Sequence, residues 1–322
     1  MFKYVLMNDT FDTWHHGCRA VSRVIRKEME HRGFSLSATS RVGASWWEDS
    51  VFVEHAKQAD LILINGEGTF HSGSSEAEKC MRIFQEKTSS NRIALINSIW
   101  QDNPTSWVDI ISNASYISLR DTNSQKKLTE HGVQAHYCPD LSLISSKPIS
   151  TLNPRSGVAW GDALKRNVTR DLYKGFRSSR GENYFASVRP TYRSPLTSYP
   201  LKDLRYSLTC WWKNYSCFND DEELARFLAQ RNLYITGRFH GACLALCAGT
   251  PFVAVASNTK KITFLLNDMG LNPARVFTDT KHLLTASPEQ WCWSPDEQES
   301  LKENLENARS RATKMFDEIC AC

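Results

Sequence analysis

The sequence has little excess charge of either sign and no apolar stretch long enough to cross a membrane. Its 39 basic and 35 acidic side chains leave a net charge of +4, which is too small to indicate nucleic acid as a partner. The longest apolar stretch, residues 242–256, is interrupted by Gly249, Thr250 and Pro251 and is shorter than the ~20 residues of a membrane-spanning helix. The opening residues MFKYVLMND lack the basic and apolar regions of a secretory signal. We therefore expect a cytoplasmic protein that does not bind nucleic acid.

Metal-binding and disulfide motifs are also missing. The ten cysteines are scattered and include no C-x-x-C pair, whereas disulfide frameworks are typical of short secreted chains. Free thiols in a reducing cytosol are the better interpretation. The chain has no H-x-x-x-H and no D-x-D at a strand end, which are spacings that would indicate a divalent-ion site. We therefore expect no metal site, no cofactor and activity that does not depend on a metal.

What the sequence does contain is an alternation of strand and helix patterns over 322 residues, enough for two domains. Short apolar runs predict strands at 4–7, 61–64, 92–96, 116–119, 233–236 and 252–256. Helical patterns cover 19–31, 76–87, 123–131, 220–230, 240–247 and about 296–319. Such alternation predicts an α/β protein with parallel sheets covered by helices on both faces. We expect an N-terminal domain at 1–148 and a C-terminal domain, which ends in a helix, at 216–322.

The segment between them, 149–215, is expected to be irregular, basic and aromatic. Residues 162–213 carry eleven basic and four acidic side chains, interleaved with nine aromatic ones. One interpretation is a solvated inter-domain segment whose long side chains cover the aromatic rings. The other is a surface for an anionic partner, either a phospholipid headgroup layer or a diphosphate-linked acceptor. The sequence leaves both open.

Polar residues follow the predicted strands, where ligands of open α/β sheets bind. Two such turns lie in the N-terminal half, and their candidate residues are Asn8, Asp9, His15, His16, Gly66, Glu67, Gly68 and His71. The glycines allow close backbone approach to a ligand, and Glu67 and His71 offer polar groups there. A tight turn with a solvated Glu67 is the alternative.

Three cationic residues and one histidine follow other strands. Arg120 ends the strand at 116–119, Arg238 and His240 follow the strand at 233–236, and Lys260 follows the strand at 252–256. Fixed cations beside a titratable imidazole at a helix start suit a small, multiply charged anion. As alternatives, Arg120 pairs with a nearby carboxylate and His240 is a structural hydrogen-bonding residue.

These motifs resemble the polysaccharide pyruvyl transferase family. The resemblance rests on R-x-H at Arg238 and His240, the A-G-x-P turn, and Lys260 twenty residues after His240. It also rests on S-x-R-D-x-x-S-x-x-x-L from Ser118 to Leu128, on Pro139-Asp140 and on the glycine turn at 65–71. The chain departs from the family in two places. It has His15-His16-Gly17-Cys18 where N-x-G-D is common, and Glu67 in the middle of a turn that is often G-G-G.

The resemblance implies a GT-B-like architecture, in which two Rossmann-like domains face each other across a cleft. It implies transfer of pyruvate from phosphoenolpyruvate to a sugar of a bacterial surface polysaccharide precursor, which forms a cyclic ketal and releases phosphate. His240 would be the acid/base, and Arg120, Arg238 and Lys260 would bind the donor. Glu67 and His71 would be catalytic candidates on the acceptor side, and Asn8, Asp9, His15, His16, Gly66 and Gly68 would form acceptor-side loops.

Two other functions fit the same pattern. One is a GT-B glycosyltransferase that uses a nucleotide-activated sugar, with the cations holding its diphosphate. The other is a glycan-binding subunit, because fold alone does not determine function. In the pyruvyl transferase hypothesis the partners are phosphoenolpyruvate and a sugar or lipid-linked oligosaccharide acceptor. The basic segment would add peripheral contact with the cytoplasmic face of the inner membrane.

Overall fold

The computed structural model describes residues 2–13, 15–86, 92–145, 154–188, 208, 215–216, 218–256 and 260–321. The chain divides into two compact units. The first comprises Met1–Asp12, Val21–Leu141 and Glu306–Cys322, and the second comprises Thr13–Ala20 and Ser142–Leu305. Each unit is built on its own parallel sheet, as the alternation of strand and helix patterns predicts.

The first unit contains six strands in the order β2-β1-β3-β4-β5-β6, all parallel. They are β1 (Phe2–Asp9), β2 (Phe34–Arg41), β3 (Leu61–Glu67), β4 (Arg92–Ser98), β5 (Tyr116–Leu119) and β6 (His136–Tyr137). The helices of this part of the chain are α1 (His16–His31), α2 (Ser50–Gln58), α3 (Ser75–Met81), α4 (Ile83–Glu86), α5 (Ser106–Ile111) and α6 (Thr122–Glu130), with a 3-10 turn at Trp46–Glu48. Every residue of β3 is buried, which explains its continuous apolar run, since helices cover both faces of a parallel sheet.

The second unit contains six parallel strands in the order β12-β11-β10-β7-β8-β9. They are β7 (Val158–Ala163), β8 (Asn183–Ala186), β9 (Tyr215–Ser216), β10 (Leu233–Gly237), β11 (Phe252–Val255) and β12 (Val276–Phe277). The helices are α7 (Arg166–Ser178), α8 (Asp221–Ala229), α9 (Phe239–Cys247), α10 (Lys261–Asp268), α11 (Thr280–Leu283), α12 (Pro288–Trp291) and α13 (Pro295–Ala321), with 3-10 turns at Leu141–Ile144 and Pro273–Arg275. Helix α9 is buried along its whole length, so its small apolar residues form the core of this unit.

Each sheet has one point where the strand order reverses direction. In the first sheet it lies between β1 and β3, and in the second it lies between β7 and β10. The second order is that of dinucleotide-binding Rossmann sheets, and the first follows the flavodoxin-like order with one added strand. Ligands of such sheets bind beyond the carboxyl ends of the strands at the reversal. We therefore expect a ligand-binding site among the residues that follow β1, β3, β7 and β10.

The expectation of an irregular segment at 149–215 is wrong for its described part. Residues 158–186 form β7, α7 and β8, and β7 is a central strand of the second sheet. The sequence does not predict β7, because only Val158, Ala159 and Trp160 form an apolar run before Gly161 and Asp162. In the structure β7 pairs with β10 on one side and with β8 on the other, and these neighbours stabilise it as a strand.

The two units also differ from the predicted domain ranges at both ends of the chain. Residues Thr13–Ala20, at the start of α1, belong to the second unit, and Glu306–Cys322, at the end of α13, belong to the first. The predicted helix at 76–87 is two short helices, α3 and α4. Asp121 and Asp220 cap α6 and α8 by accepting hydrogen bonds from backbone N–H groups, as expected of aspartates at the N-cap position of a helix.

Two expectations about the chain's surroundings can be compared with the structure. Among the described residues, no helix is long and apolar enough to cross a membrane. Cys80, Cys138, Cys292 and Cys320 are free thiols. Burial raises the pKa of the Cys80 and Cys138 thiols to about 12, helped by nearby carboxylates, so both remain protonated and unreactive.

Candidate functional site

Arg238 stands at the turn from β10 to α9 and is held by Asp162 at the end of β7. Its Nε and Nη2 donate to Asp162 Oδ2 over 2.8 Å and 2.7 Å, and its backbone N–H donates to Thr236 Oγ1 over 3.1 Å. Asp162 Oδ1 also accepts the backbone N–H of Val188. Strands β7 and β10 pair directly, so this ion pair joins the two strands at the reversal of the second sheet.

His240 lies in the first turn of α9 and contacts the start of α1. The residue is 6% exposed. Its Nδ1 is 3.7 Å from Cys18 Sγ, and its ring meets that of His15 edge to face with centroids 5.1 Å apart. A Cβ added to Gly17 would lie 2.2 Å from His240 Cβ, so only glycine allows this approach. The residues of the H-H-G-C turn are therefore packed around His240.

This packing corrects the assignment of His15 and His16 to the N-terminal, acceptor-side domain. Both belong to the second unit, and the His16 backbone N–H donates to Val188 O over 2.8 Å. The His16 side chain is fully buried, and its burial, with the Arg19 cation nearby, lowers its pKa to about 4. His16 is therefore a neutral packing residue, and His15 lies beside His240.

The other predicted donor residues occupy different positions. Lys260 is exposed and precedes α10, which follows β11, the strand that pairs with β10. Arg120 lies in the first unit, where its Nη1 donates to Asp140 Oδ2 over 2.9 Å and the two side chains are 2% and 0% exposed. The structure thus shows for Arg120 the carboxylate pairing that the sequence left open as an alternative.

In the first unit, three strand ends carry residues in the left-handed backbone region. Asn8, Glu67 and Asn97 have φ values of 57°, 39° and 53° and lie at or near the ends of β1, β3 and β4. All three side chains are buried. Non-glycine residues in this region store strain of order 1–3 kcal/mol each and are concentrated at functional sites. The reversal of the first sheet is therefore a second candidate site.

A hydrogen-bond network holds these residues in place. Glu67 Oε1 accepts from Thr10 Oγ1 over 2.5 Å and from Asn65 Nδ2 over 3.1 Å. Asn8 Nδ2 donates to Asn65 O over 2.6 Å and to Thr69 Oγ1 over 3.1 Å. Glu67 is therefore a buried, hydrogen-bonded carboxylate, and the alternative of a solvated glutamate in a tight turn is wrong.

The remaining predicted loop residues lie around this network. Asp9 accepts a 2.6 Å bond from Arg26 of α1. Gly66 faces β4, because a Cβ there would lie 2.3 Å from Ser98 Cβ. Gly68 follows Glu67 in the turn after β3, and His71, which is partly exposed, forms an isolated bridge with Gln101.

Sequence reading missed Asp162, Thr10 and Cys18. Asp162 lies near the end of a strand whose apolar run is too short to predict a strand, and Thr10 follows β1 without belonging to any motif. Cys18 lies 222 positions from His240, so no local spacing connects them. A signal was nevertheless present, because Cys18 belongs to the H-H-G-C turn that departs from the family pattern.

The model of one protein family, polysaccharide pyruvyl transferase, matches residues 6–259, which is most of the chain and includes Arg238, His240 and the network around Glu67. The chain belongs to the polysaccharide pyruvyl transferase family. The expected resemblance is confirmed. Among curated proteins, none matches the sequence.

Solved structures confirm the expected fold class for this family member. It resembles an uncharacterised protein, KP1_0663, from Klebsiella pneumoniae at 13% identity, over 86% of this chain and 93% of that one, with a TM-score of 0.50. It also resembles S. aureus MnaA in complex with UDP, at 9% identity over 95% and 92% of the two chains and a TM-score of 0.55. An α-glucosyltransferase in complex with UDP and DNA matches at 10% identity over 99% of both chains, with a TM-score of 0.51. These likenesses show a two-domain, GT-B-like α/β fold.

Proposed function

We propose that the protein transfers pyruvate from phosphoenolpyruvate to a sugar of a bacterial surface polysaccharide precursor. The product is a cyclic ketal across two sugar hydroxyls, and phosphate is released. The observation that carries this proposal is the match to the pyruvyl transferase family over residues 6–259, together with the cationic strand-to-helix turn at Arg238 and His240. The acceptor is a sugar or a lipid-linked oligosaccharide.

The reaction requires a proton donor and positive charge around the donor. A proton added to C3 of the enol makes C2 electrophilic, and a sugar hydroxyl attacks C2. A second hydroxyl then displaces phosphate and closes the ketal, and both hydroxyl protons must leave. We assign proton transfer at the donor to His240, because an imidazole can both donate and accept a proton and the side chain lies in the first turn of α9, beside Arg238.

Charge at the donor site comes mainly from Lys260 in this proposal. Lys260 is exposed, whereas the Arg238 guanidinium is largely balanced by Asp162. A point charge on a flexible stem suits a phosphate or carboxylate oxygen. Arg238 would then hold the turn in place and orient the first N–H groups of α9, which favour an anion at a helix N-terminus.

The network at the reversal of the first sheet supports an acceptor site there. Glu67, Asn8 and Asn97 are held in strained backbone conformations, which the surrounding hydrogen bonds must stabilise. Glu67 is the carboxylate best placed to accept a proton from a sugar hydroxyl, and His71 is a second candidate in the same turn. Asp9, Gly66 and Gly68 shape this acceptor loop.

The second candidate function is a GT-B glycosyltransferase that uses a nucleotide-activated sugar. It is favoured by one observation, that two of the similar structures were solved with UDP. The donor distinguishes the two functions. Phosphoenolpyruvate at about 100 times its Kd should stabilise the folded protein by about 2.7 kcal/mol and raise its melting temperature. Stabilisation by UDP-sugars alone would contradict the pyruvyl transferase proposal.

Variants separate charge from proton transfer. Lys260→Met should weaken phosphoenolpyruvate binding, and Lys57→Met, at another exposed lysine, should not. His240→Gln should lower turnover by ~10²–10⁴ while donor affinity changes much less. Steady-state kinetics with the donor varied, combined with direct donor titration, measure both effects. Near-normal turnover in a folded His240→Gln protein would move the acid/base role to Glu67 or His71.

A further inference from the structure

Three side chains that ligate borderline and soft metal ions meet in the second unit. His15, Cys18 and His240 each offer one ligand atom, and these atoms all lie within 4.8 Å of one another. A tetrahedral zinc ion, with Zn–S of about 2.3 Å and Zn–N of about 2.0–2.1 Å, holds its ligand atoms about 3.3–3.6 Å apart. Cys18 Sγ and His240 Nδ1 are already 3.7 Å apart. Small side-chain rotations would therefore bring all three atoms to ligating distance.

The backbone around these side chains is arranged for their close approach. Gly17 has no Cβ, and any side chain there would overlap His240 Cβ and Cγ, at 2.2 Å and 2.3 Å. The His16 N–H bond to Val188 O holds the turn on one side. Gly17 therefore leaves room for the His240 imidazole beside His15 and Cys18.

We propose that His15, Cys18 and His240 form a zinc-type metal site with a fourth position open to water or to a substrate oxygen. One thiolate and two imidazoles select zinc over magnesium or calcium, which prefer oxygen ligands. Three protein ligands leave one of the four tetrahedral positions open, whereas structural zinc sites are closed by four protein ligands. This proposal goes beyond the transferase function and replaces the expectation that the chain has no metal site.

One consequence rests on the proposed function. A ring nitrogen that ligates a metal uses the lone pair that would accept a proton, so metal-bound His240 does not act as acid/base. The metal-bound and proton-transferring states of His240 therefore exclude each other. Added zinc should slow pyruvyl transfer, and a chelator should restore it, so activity in EDTA remains full.

The binding itself is tested without any activity. The full-length protein, produced without a histidine tag, should contain close to one zinc per chain by elemental analysis. The chelated protein titrated with Co²⁺ should show the absorption of tetrahedral cobalt and a thiolate-to-cobalt charge-transfer band. Cys18→Ser and His15→Gln should each lower metal affinity by at least about 100-fold, since losing even an outer-shell partner costs 10–100-fold.

Two matched substitutions serve as controls. Cys292→Ser and His282→Gln alter an exposed cysteine and an exposed histidine outside the cluster, and both should leave metal content and the cobalt spectrum unchanged. Cys18→Asp keeps an anionic ligand, so it should retain tetrahedral cobalt and lose only the charge-transfer band. This variant separates loss of the thiolate from loss of the fold.

Three results would overturn the proposal. They are no zinc with no cobalt charge-transfer band, a cobalt spectrum that Cys18→Ser leaves intact, and metal loss in the two control variants. Failure of the metal site remains distinguishable from failure of the proposed function. A protein that binds no metal but forms the ketal refutes only the site, and one that binds zinc but transfers no pyruvate even after the zinc is removed by a chelator refutes only the function.

Discussion

Arg120 and Arg238 both follow a strand, and each is paired with a buried aspartate. The Arg120–Asp140 pair is almost completely inaccessible, with side chains 2% and 0% exposed, whereas those of Arg238 and Asp162 are 9% and 8% exposed. A buried arginine whose charge is balanced by a carboxylate contributes little attraction to an anionic substrate. The Arg120–Asp140 pair therefore contributes to the stability of the first unit, and donor binding by Arg120 stays a prediction.

Arg120→Met should destabilise the first unit by about 3–5 kcal/mol, because it leaves the Asp140 carboxylate buried without its partner. Arg120→Lys should also lose stability, since a single ammonium cannot replace the planar guanidinium. Urea unfolding measures both effects. The double variant Arg120→Met with Asp140→Leu should recover much of the loss, since it removes both buried charges. A stable Arg120→Met protein with weakened phosphoenolpyruvate binding would instead return Arg120 to the donor site.

Among the helices, α7 has a basic face that faces solvent. Arg166, Arg170, Lys174 and Arg177 are exposed and spaced by four, four and three residues, which places them on one side of a helix. Leu172 and Gly175, on the other side, are buried. Of the basic and aromatic segment at 162–213, this helix is the main described part, and 189–207 and 209–213 lie outside the described residues. The structure thus places an organised cationic surface in the segment proposed to face an anionic partner.

We expect the protein to co-sediment with vesicles that contain anionic lipid, and binding to weaken as salt rises. Each basic residue near an anionic surface contributes roughly 1 kcal/mol. Changing the four basic residues of the α7 face to glutamine should therefore weaken binding by at least about tenfold.

The matched control changes four other basic residues that are also exposed, namely Lys57, Lys126, Lys302 and Lys314, to glutamine. It should bind almost as the unaltered chain does, because the net charge changes equally but the α7 face remains. Equal loss in both variants would show that only net charge matters. Equal binding to neutral vesicles would remove the surface proposal altogether.

The start of α13 depends on the ion pair of Glu297 with Arg275. Arg275 is 2% exposed, and its Nη2 lies 2.7 Å from Glu297 Oε2. Burial raises the pKa of Glu297, but hydrogen bonds from Arg275 and from the backbone of Asn272 and Ser294, with the Arg275 charge, outweigh it. The net pKa lies below its usual value. The pair therefore stabilises the fold fully above the unfolded pKa and less as pH falls through the lowered one.

Glu297→Gln should reduce stability at neutral pH by about 1–3 kcal/mol, the contribution of a hydrogen bond to a charged group. The variant should also lose part of the stability decrease that the unaltered chain shows on acidification. Unfolding measured across roughly pH 7 to pH 3 compares the two. Glu299→Gln, at an exposed position of the same helix, should change neither quantity. Parallel pH curves for Glu297→Gln and the unaltered chain would contradict this role.

At the scale of the whole molecule, each unit is assembled from distant parts of the chain. The first unit includes Glu306–Cys322, and this end of α13 buries Phe316 and Ile319. Asp317 pairs with Arg32, 2.8 Å away, and Glu318 accepts a 2.7 Å bond from Tyr116. Phe316 and Ile319, near the end of α13, therefore belong to the buried interior of the first unit.

Phe316→Ala should destabilise the first unit by about 3–5 kcal/mol, the usual cost of truncating a buried phenylalanine. Hydrogen exchange should then speed up in β1–β5 more than in β10 and β11, because the residue belongs to the first unit. Ser310→Ala, at an exposed position of α13, is the control and should leave both sheets unchanged. Faster exchange confined to the second sheet would contradict the assignment of this segment.

Features that depend on residues close together in the chain could be predicted from the sequence. Apolar runs at 61–64, 92–96 and 233–236 predicted β3, β4 and β10, because a strand covered on both faces needs several consecutive apolar residues. The R-x-H turn and the lysine twenty residues later indicated the family, because residue types at fixed spacings can be recognised in the sequence alone. The α/β class and the two-domain organisation followed from the alternation of these patterns.

Which charged groups pair and which potential metal ligands meet depends on how distant parts of the chain pack together. Strand pairing between β7 and β10 brings Asp162 to Arg238 across 76 positions, and the missing Cβ of Gly17 brings Cys18 to His240 across 222 positions. Neither contact has a local signature, because hydrophobic periodicity reports which face of a strand or helix is buried and not which partner covers it. Strand β7 could not be predicted for the same reason, because its apolar residues are too few to indicate a strand unless its partners β8 and β10 are known.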